Sequence, residues 1–265
     1  ISVPYLRPNN DAIMNKLAMI TGATAGIGEA TAHLYAQNGY DLIITGRRDN
    51  LLQTLKNKLE NQYGIEVLTL CFDVRDKEAV NNSISNLEDK WRNIGILINN
   101  AGLAKGFHDI QDGNIEDWET MIDTNIKGLL YVSRQIMPIM IKNHSGHIVN
   151  ISSIAGKEVY TKGNVYCSTK HAVEGITKAM RMDMLPHKIK VTAVCPGAVE
   201  TEFSVVRFEG DQDRADSVYD GYQPLKAHDI AEAIYFATSR PAHVNINDLL
   251  IMPTAQANTS NLLRE

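Results

Sequence analysis

Tyr166 and Lys170 stand four residues apart in a stretch of helical period, and Ser153 lies thirteen residues upstream of the tyrosine, at the end of the apolar run Ile148-Val-Asn-Ile-Ser-Ser153. Residues i and i+4 share a helix face, which brings the lysine ammonium near the phenol. A neighbouring cation lowers a phenol pKa from about 10 toward neutrality, as proton exchange with an alcohol at physiological pH requires. A serine hydroxyl beside the same oxygen supplies a donor to charge that develops on a substrate oxygen as the proton is exchanged. A tyrosine and a lysine at this spacing occur often by chance, so the weight comes from a second signal elsewhere in the chain.

That signal is Gly22-Ala-Thr-Ala-Gly26-Ile-Gly28, which follows the apolar run Leu17–Thr21 and opens the amphipathic stretch Glu29-Ala-Thr-Ala-His-Leu-Tyr. Glycines permit a tight turn and let a pyrophosphate approach a helix N-terminus, where unpaired N–H groups and the helix dipole favour an anion. A glycine triplet alone is weak; in register between a strand and a helix it points to a dinucleotide. Gly22, Thr24, Gly26, Ile27 and Gly28 are the candidate contacts.

The elements that must position these groups follow from hydrophobic period. Short apolar runs at Leu17–Thr21, Asp41–Thr45, Glu66–Cys71, Ile96–Asn99, His147–Ile151, Lys190–Val194 and Asp248–Met252 read as strands. Helical candidates lie near 27–38, 49–62, 76–91, 116–142, 165–185 and 228–238. Seven such steps predict a single α/β domain over 1–265, a doubly wound Rossmann fold with a seven-stranded parallel sheet and helices on both faces, whose ligands bind beyond the carboxyl ends of the strands. The stretch near 197–226, rich in charge and glycine, reads as an irregular lid over the site.

The GxxxGxG spacing, Asn99-Asn100-Ala101-Gly102, Asn150-Ile-Ser-Ser153 and Tyr166-Cys-Ser-Thr-Lys170 together resemble the short-chain dehydrogenase/reductase family from Thr21 to about Thr201. The resemblance implies that Tyr166 donates a proton to a carbonyl oxygen, Ser153 hydrogen-bonds that oxygen and the substrate, and Lys170 tunes Tyr166 and holds the nicotinamide ribose. It also implies that Asn125, in Met121-Ile-Asp-Thr-Asn125, anchors a water that relays protons to the lysine. Asn100, Ala101 and Gly102 would line the cofactor, with Asn99 in support. Asp73 and Val74 would meet adenine, and Pro196, Gly197, Val199 and Thr201 would pass the nicotinamide. NAD-preferring relatives carry an acidic residue at the end of the second strand. Here Thr45-Gly46-Arg47-Arg48 offers two guanidiniums and no carboxylate, which favours NADP(H), although the glycine turn has Ala25 where many NADP-dependent relatives carry a basic residue.

Val199–Asp211, Gly163-Asn-Val-Tyr-Cys and Ile251-Met-Pro-Thr-Ala-Gln256 resemble the NADP-dependent 3-hydroxy acid dehydrogenases of that family. This resemblance implies oxidation of serine, allo-threonine or 3-hydroxypropionate, or reduction of malonic semialdehyde. A small acid needs a cation for its carboxylate; Arg207 in the lid is the first candidate and Lys157 the second. A general NADPH-dependent carbonyl reductase of larger neutral ketones, similar to sepiapterin reductase, is the rival enzyme reading, and the lid aromatics Phe203, Phe208, Tyr219 and Tyr222 do not decide between them. A cofactor-binding sensor that has lost catalysis would show a broken tetrad, and here Asn125, Ser153, Tyr166 and Lys170 are all present.

Composition excludes other classes. With 44% hydrophobic and 22% charged residues the 265-residue chain matches an ordinary globular protein. Its 26 basic against 31 acidic residues leave −5 and no basic block, so no nucleic-acid partner is expected. Cys71, Cys167 and Cys195 form no CxxC pair and the histidines no HExxH, so no metal is expected and a reducing cytoplasm fits; His144 and His147 read as solvated or helix-end residues. The opening segment with Pro4, Arg7, Pro8 and Asp11 has no apolar run of a leader, and no run of 18 apolar residues spans a membrane. The family resemblance implies a homo-oligomer, dimer or tetramer, built on the two long helices, where Leu129, Leu130, Val132 and Met137 serve either core or interface.

Overall fold

The computed structural model describes residues 16–265; the expectation about Pro4, Arg7, Pro8 and Asp11 lies outside the described residues. Strands and helices alternate as the apolar periods require: β1 (Leu17–Thr21), α1 (Gly26–Gln37), β2 (Asp41–Gly46), α2 (Asp49–Tyr63), β3 (Val67–Cys71), α3 (Lys77–Ser85), β4 (Ile96–Asn99), α4 (Ile115–Ile122), α5 (Leu129–Lys142), β5 (His147–Ile151), α6 (Asn164–Met184) and β6 (Lys190–Pro196). The chain then runs through β7 (Val199–Glu200), α7 (Phe203–Arg207), α8 (Gln212–Ser217), β8 (Leu225–Lys226), α9 (Ala227–Thr238) and β9 (Asp248–Ile251).

Seven strands form one parallel sheet in the order β3-β2-β1-β4-β5-β6-β9. Alternate residues along β1 to β6 supply two cores. Met19, Ile43, Leu97, Ile148 and Val191 pack with Val132, Ile136 and Val173 on one face. Ile20, Leu42, Ile44, Ile98 and Val149 pack with Ala32, Tyr35, Ile230 and Ile234 on the other. Each such fully buried side chain contributes about 1.5–3 kcal/mol of transfer free energy, which is what fixes the strand register. Strand order reverses between β1 and β4, and that switch point opens a crevice at the carboxyl ends. Among the described residues no helix is long and apolar enough to cross a membrane.

Four sequence expectations are corrected. The stretch 116–142 is not one regular helix: residues 123–128 form a π turn between α4 and α5. Gly128 sits there against Val74, where an added Cβ would come within 2.7 Å of Val74 Cγ2. The stretch 76–91 breaks after Ser85 because the Arg92 guanidinium takes the carbonyls of Ser85 and Leu87, and a 3-10 turn at Asp89–Trp91 then returns Trp91 to the core. The segment 197–226 is ordered by α7, α8 and a parallel ladder in which Val199 pairs with Leu225; the Tyr219 hydroxyl secures it by donating to Val199 O (2.9 Å). His144 closes α5 with left-handed backbone, whereas His147 is fully buried in β5. Of the four helix positions, Leu129 and Val132 are core, Met137 packs against it, and Leu130 is exposed.

His147 carries a pH consequence. Its Nε2 meets Thr192 Oγ1 at 2.7 Å, its Nδ1 has no partner among the described residues, and burial pushes its pKa down to about 3. The unfolded chain takes up this proton near pH 6.5 and the folded chain does not, so stability is full above pH 6.5 and is lost as pH falls from there toward 3. We expect this group to cost about 2 kcal/mol between pH 7.5 and 5. Urea midpoints of the wild type and His147→Gln over that range test it: the wild type should fall more steeply, and parallel falls would contradict the assignment.

Candidate active site

The crevice is lined by the glycine turn, the ends of β2, β4, β5 and β6, the first turns of α6 and the start of α7. Gly22 and Gly26 have φ of +67° and +55°, conformations that L side chains rarely adopt. A Cβ on Gly28 would lie 2.3 Å from Gly22 O, so only glycine lets α1 begin pressed against the turn. Gly28 is therefore buried beneath the crevice while Gly22, Thr24, Gly26 and Ile27 line it. No side chain caps the N-terminus of α1, where Ala25 stands, which leaves its first amides available to an anion. Asn100 locks this geometry: its Nδ2 donates to Thr21 O (2.9 Å) and Gly22 O (3.0 Å), and Thr21 Oγ1 accepts from the amides of Asn100 and Ala101, each at 3.0 Å. Asn99 is structural, donating to Ser133 Oγ and Asn150 Oδ1.

At one end of the crevice lie Arg47, Arg48, Asp73 and Val74. Arg47 is exposed, 3.8 Å from Asp73, and Arg48 donates to Thr24 Oγ1 (2.9 Å) and to Glu202 Oε2 (3.3 Å). Burial pushes the Asp73 carboxyl up, but Arg75, which donates to Oδ2 at 2.7 Å, outweighs it and holds the group below the usual carboxylate range. An adenine at this turn thus meets a carboxylate already engaged by Arg75.

At the other end α6 carries Tyr166 and Lys170, both buried, and β5 delivers Ser153. Lys170 Nζ donates to Ile151 O (2.9 Å) and lies 5.9 Å from the centre of the Tyr166 ring. Burial pushes Lys170 down to about 8, against the opposing effects of Cys195 and Glu174. Tyr166 departs from expectation: burial raises its phenol above the ordinary value, and the groups that pull it back are the Ser153 hydroxyl and the Arg207 guanidinium. Lys170 is not among them, because its ammonium is turned to the backbone of β5. Ser152 points away, toward Lys170 O, which leaves Ser153 as the serine beside the phenol. Asn125, brought inward by the π turn, spends its side chain on Leu103 N and O (both 2.9 Å) and Thr169 Oγ1 (3.0 Å). These bonds brace the Gly102 segment under Lys170, so the side chain does not itself line the crevice. Pro196, Gly197, Val199 and Thr201 line the wall, with Thr201 packed on Gly26.

Arg207 lies in a recess that opens beside Tyr166. Its guanidinium carbon is 4.8 Å from the Phe107 ring centre, 5.3 Å from that of Tyr160 and 5.8 Å from that of Tyr166, and its Nη1 donates to Tyr160 Oη at 2.7 Å. Nε and Nη2 are buried without a partner among the described residues. Lys157, the second candidate, is drawn elsewhere: its ammonium binds Glu174 Oε2 (2.5 Å) and Asp248. Glu174, Cys195 and Asp248 come within 4.8 Å of one another around that ammonium, which supplies the positive charge of the cluster. Sequence reasoning missed Tyr160, Phe107 and Glu202, since nothing local to a loop aromatic or a lid carboxylate reveals which guanidinium it meets.

A doubly wound parallel sheet with a glycine turn at its switch point defines a dinucleotide-binding class. The chain belongs to the short-chain dehydrogenase family, whose model matches residues 16–212. It is 44% identical over 242 residues to the NADP-dependent 3-hydroxy acid dehydrogenase of Salmonella typhi, covering 91% of this chain and 96% of that protein. It is 43% identical to sulfoacetaldehyde reductase 2 of Chromohalobacter salexigens, covering 92% and 96%. Among solved structures, the closed form of serine dehydrogenase complexed with NADP+ superposes with a TM-score of 0.88 at 41% identity, covering 94% of this chain and all of that one.

Proposed function

We propose that the protein transfers hydride between NADP(H) and a small 3-hydroxy acid, or the corresponding 3-oxo acid, of the serine, allo-threonine or 3-hydroxypropionate type. The observation that carries the substrate class is Arg207: two buried guanidinium donors without partners among the described residues, beside the phenol that would exchange the proton. A buried, unsatisfied cation is costly unless an anion completes it, and a guanidinium matches a carboxylate with two parallel bonds. The sulfoacetaldehyde reductase similarity agrees with an anionic head group in this place. Segment 197–226 acts as the substrate lid, since α7 carries both Arg207 and Phe203, whose ring lies 5.5 Å from that of Tyr166.

The crevice fits NADP(H): an uncapped α1 N-terminus meets the pyrophosphate, and Arg47 and Arg48 meet a 2′-phosphate where no carboxylate ends β2. When bound, the nicotinamide supplies hydride to the carbonyl carbon or accepts it from the alcohol carbon. Tyr166 gives its phenolic proton to the carbonyl oxygen during reduction and takes the hydroxyl proton during oxidation. Ser153 donates a hydrogen bond to that same oxygen as its charge grows. Lys170 would hold the ribose hydroxyls of the bound nucleotide, and Asn125 fixes the Leu103 backbone beneath it. The three free thiols agree with a reducing cytoplasm, and exposed Leu130 on α5 with a homo-oligomeric contact, dimer or tetramer.

Arg47→Ala is expected to weaken NADPH by ~10–100-fold and NADH by far less, because charge-assisted bonds to the 2′-phosphate contribute about 1.5–3 kcal/mol. Fluorescence titration with both nucleotides checks this. Equal losses would sink the cofactor assignment.

A further inference from the structure

A crevice that receives a polyanion should carry no free carboxylate, yet two acidic residues line it, Asp73 and Glu202. Asp73 is explained by the Arg75 guanidinium that neutralises it. Glu202 is the N-cap residue of α7, where its carbonyl accepts from Val206 N at 3.0 Å, but its side chain caps no amide of that helix. It sits immediately before α7, and both hydrogen bonds to its Oε2 come from Nη1 and Nη2 of Arg48, each at 3.3 Å. Arg48 is itself held in place from the opposite wall, where Nη2 donates to Thr24 Oγ1 at 2.9 Å and to Thr24 O at 3.3 Å. The guanidinium therefore stays at the rim whether or not Glu202 is there, and Glu202 occupies the donors that a phosphate would use.

We propose that Glu202 is a specificity-determining residue that competes with the cofactor's 2′-phosphate for Arg48, so that the NADP(H) preference of this chain is deliberately moderated by a carboxylate on the lid. This rests on the reading of the β2 arginines as the 2′-phosphate site. The pair is about half exposed on each side, 45% for Arg48 and 60% for Glu202, so it is screened and weak enough for a phosphate to displace. Once displaced, the carboxylate remains a like charge near the phosphate and opposes it further. NAD(H), which has a hydroxyl at that position, neither displaces Glu202 nor is repelled by it. The expected signature is thus a change in NADPH affinity alone, largest at low ionic strength.

Full-length protein should be titrated with NADPH and with NADH in four forms: wild type, Glu202→Gln, Arg48→Gln and the double variant. Glu202→Gln should tighten NADPH by ~5-fold in 20 mM buffer and by much less in 0.5 M salt, with NADH changed less than about 2-fold. The gain should shrink in the Arg48→Gln background to what the direct repulsion between Glu202 and the phosphate leaves, since the competition acts through one guanidinium. If Glu202→Gln leaves NADPH unchanged, shifts both nucleotides equally, or keeps its full gain without Arg48, the proposal is overturned. If Arg48→Gln and Arg47→Ala together leave the preference for NADPH intact, the 2′-phosphate reading beneath it fails, a result separable from the first.

Discussion

Tyr166→Phe is expected to lower turnover by ~10²–10⁴-fold in both directions while NADPH still binds within about 2-fold of the wild type. The substitution removes one oxygen and nothing else. The ring keeps its place beside Phe203 at 5.5 Å, and Lys170 keeps its bond to Ile151 O at 2.9 Å, so the fold around both is not disturbed. The lost oxygen is the group that would exchange a proton with the substrate. Steady-state rates and NADPH titrations at one pH, with a melting curve to confirm folding, give the answer. Turnover within about tenfold of the wild type would remove Tyr166 from proton transfer.

Arg207→Ala is expected to lower kcat/KM for 3-hydroxy acids by ~10²–10³-fold, since loss of one member of a buried charged pair costs about 3–4 kcal/mol. A neutral 3-hydroxy ketone should lose little. Arg207→Lys should recover only part of the loss, because an ammonium cannot form the paired bonds of a planar guanidinium. A second readout follows from its position beside the phenol. Arg207 is one of the groups that hold Tyr166 below where burial alone would put it, so the ascending limb of the oxidation profile, where Tyr166 must lose its proton to act as the base, should move to higher pH in the Ala variant. Equal losses for acid and neutral substrates would show that the residue supports the lid rather than a carboxylate.

The parts of the site that were legible in the sequence are those fixed by local geometry. Gly22 and Gly26 announce themselves because the backbone there needs positive φ, and Tyr166 and Lys170 because a helix face fixes their separation. Strands β1 to β6 were legible because each buries apolar residues on both faces, and β9, at the sheet edge, because Ile251 packs on one core. What was not legible depends on distant packing. Arg48 and Glu202 are 154 positions apart, and Tyr160 and Arg207 are 47 apart, so no window of sequence shows either pair. The π turn at Asn125 reflects the contact between Gly128 and Val74, which hydrophobic period alone does not encode. Lys157 shows the limit from the other side: a lysine near Ser153 reads as a substrate cation until Glu174 and Asp248 are seen to hold it.

The central claim is hydride transfer between NADP(H) and a small hydroxy acid. It is tested most directly by initial rates of NADP+ and NAD+ reduction by the purified protein with L-serine, L-allo-threonine, 3-hydroxypropionate and a neutral 3-hydroxy ketone at matched pH. The structure predicts turnover of the acids, with NADP+ preferred over NAD+ and the neutral compound poor. Turnover of the neutral compound alone, or equal rates with the two nucleotides, would contradict it.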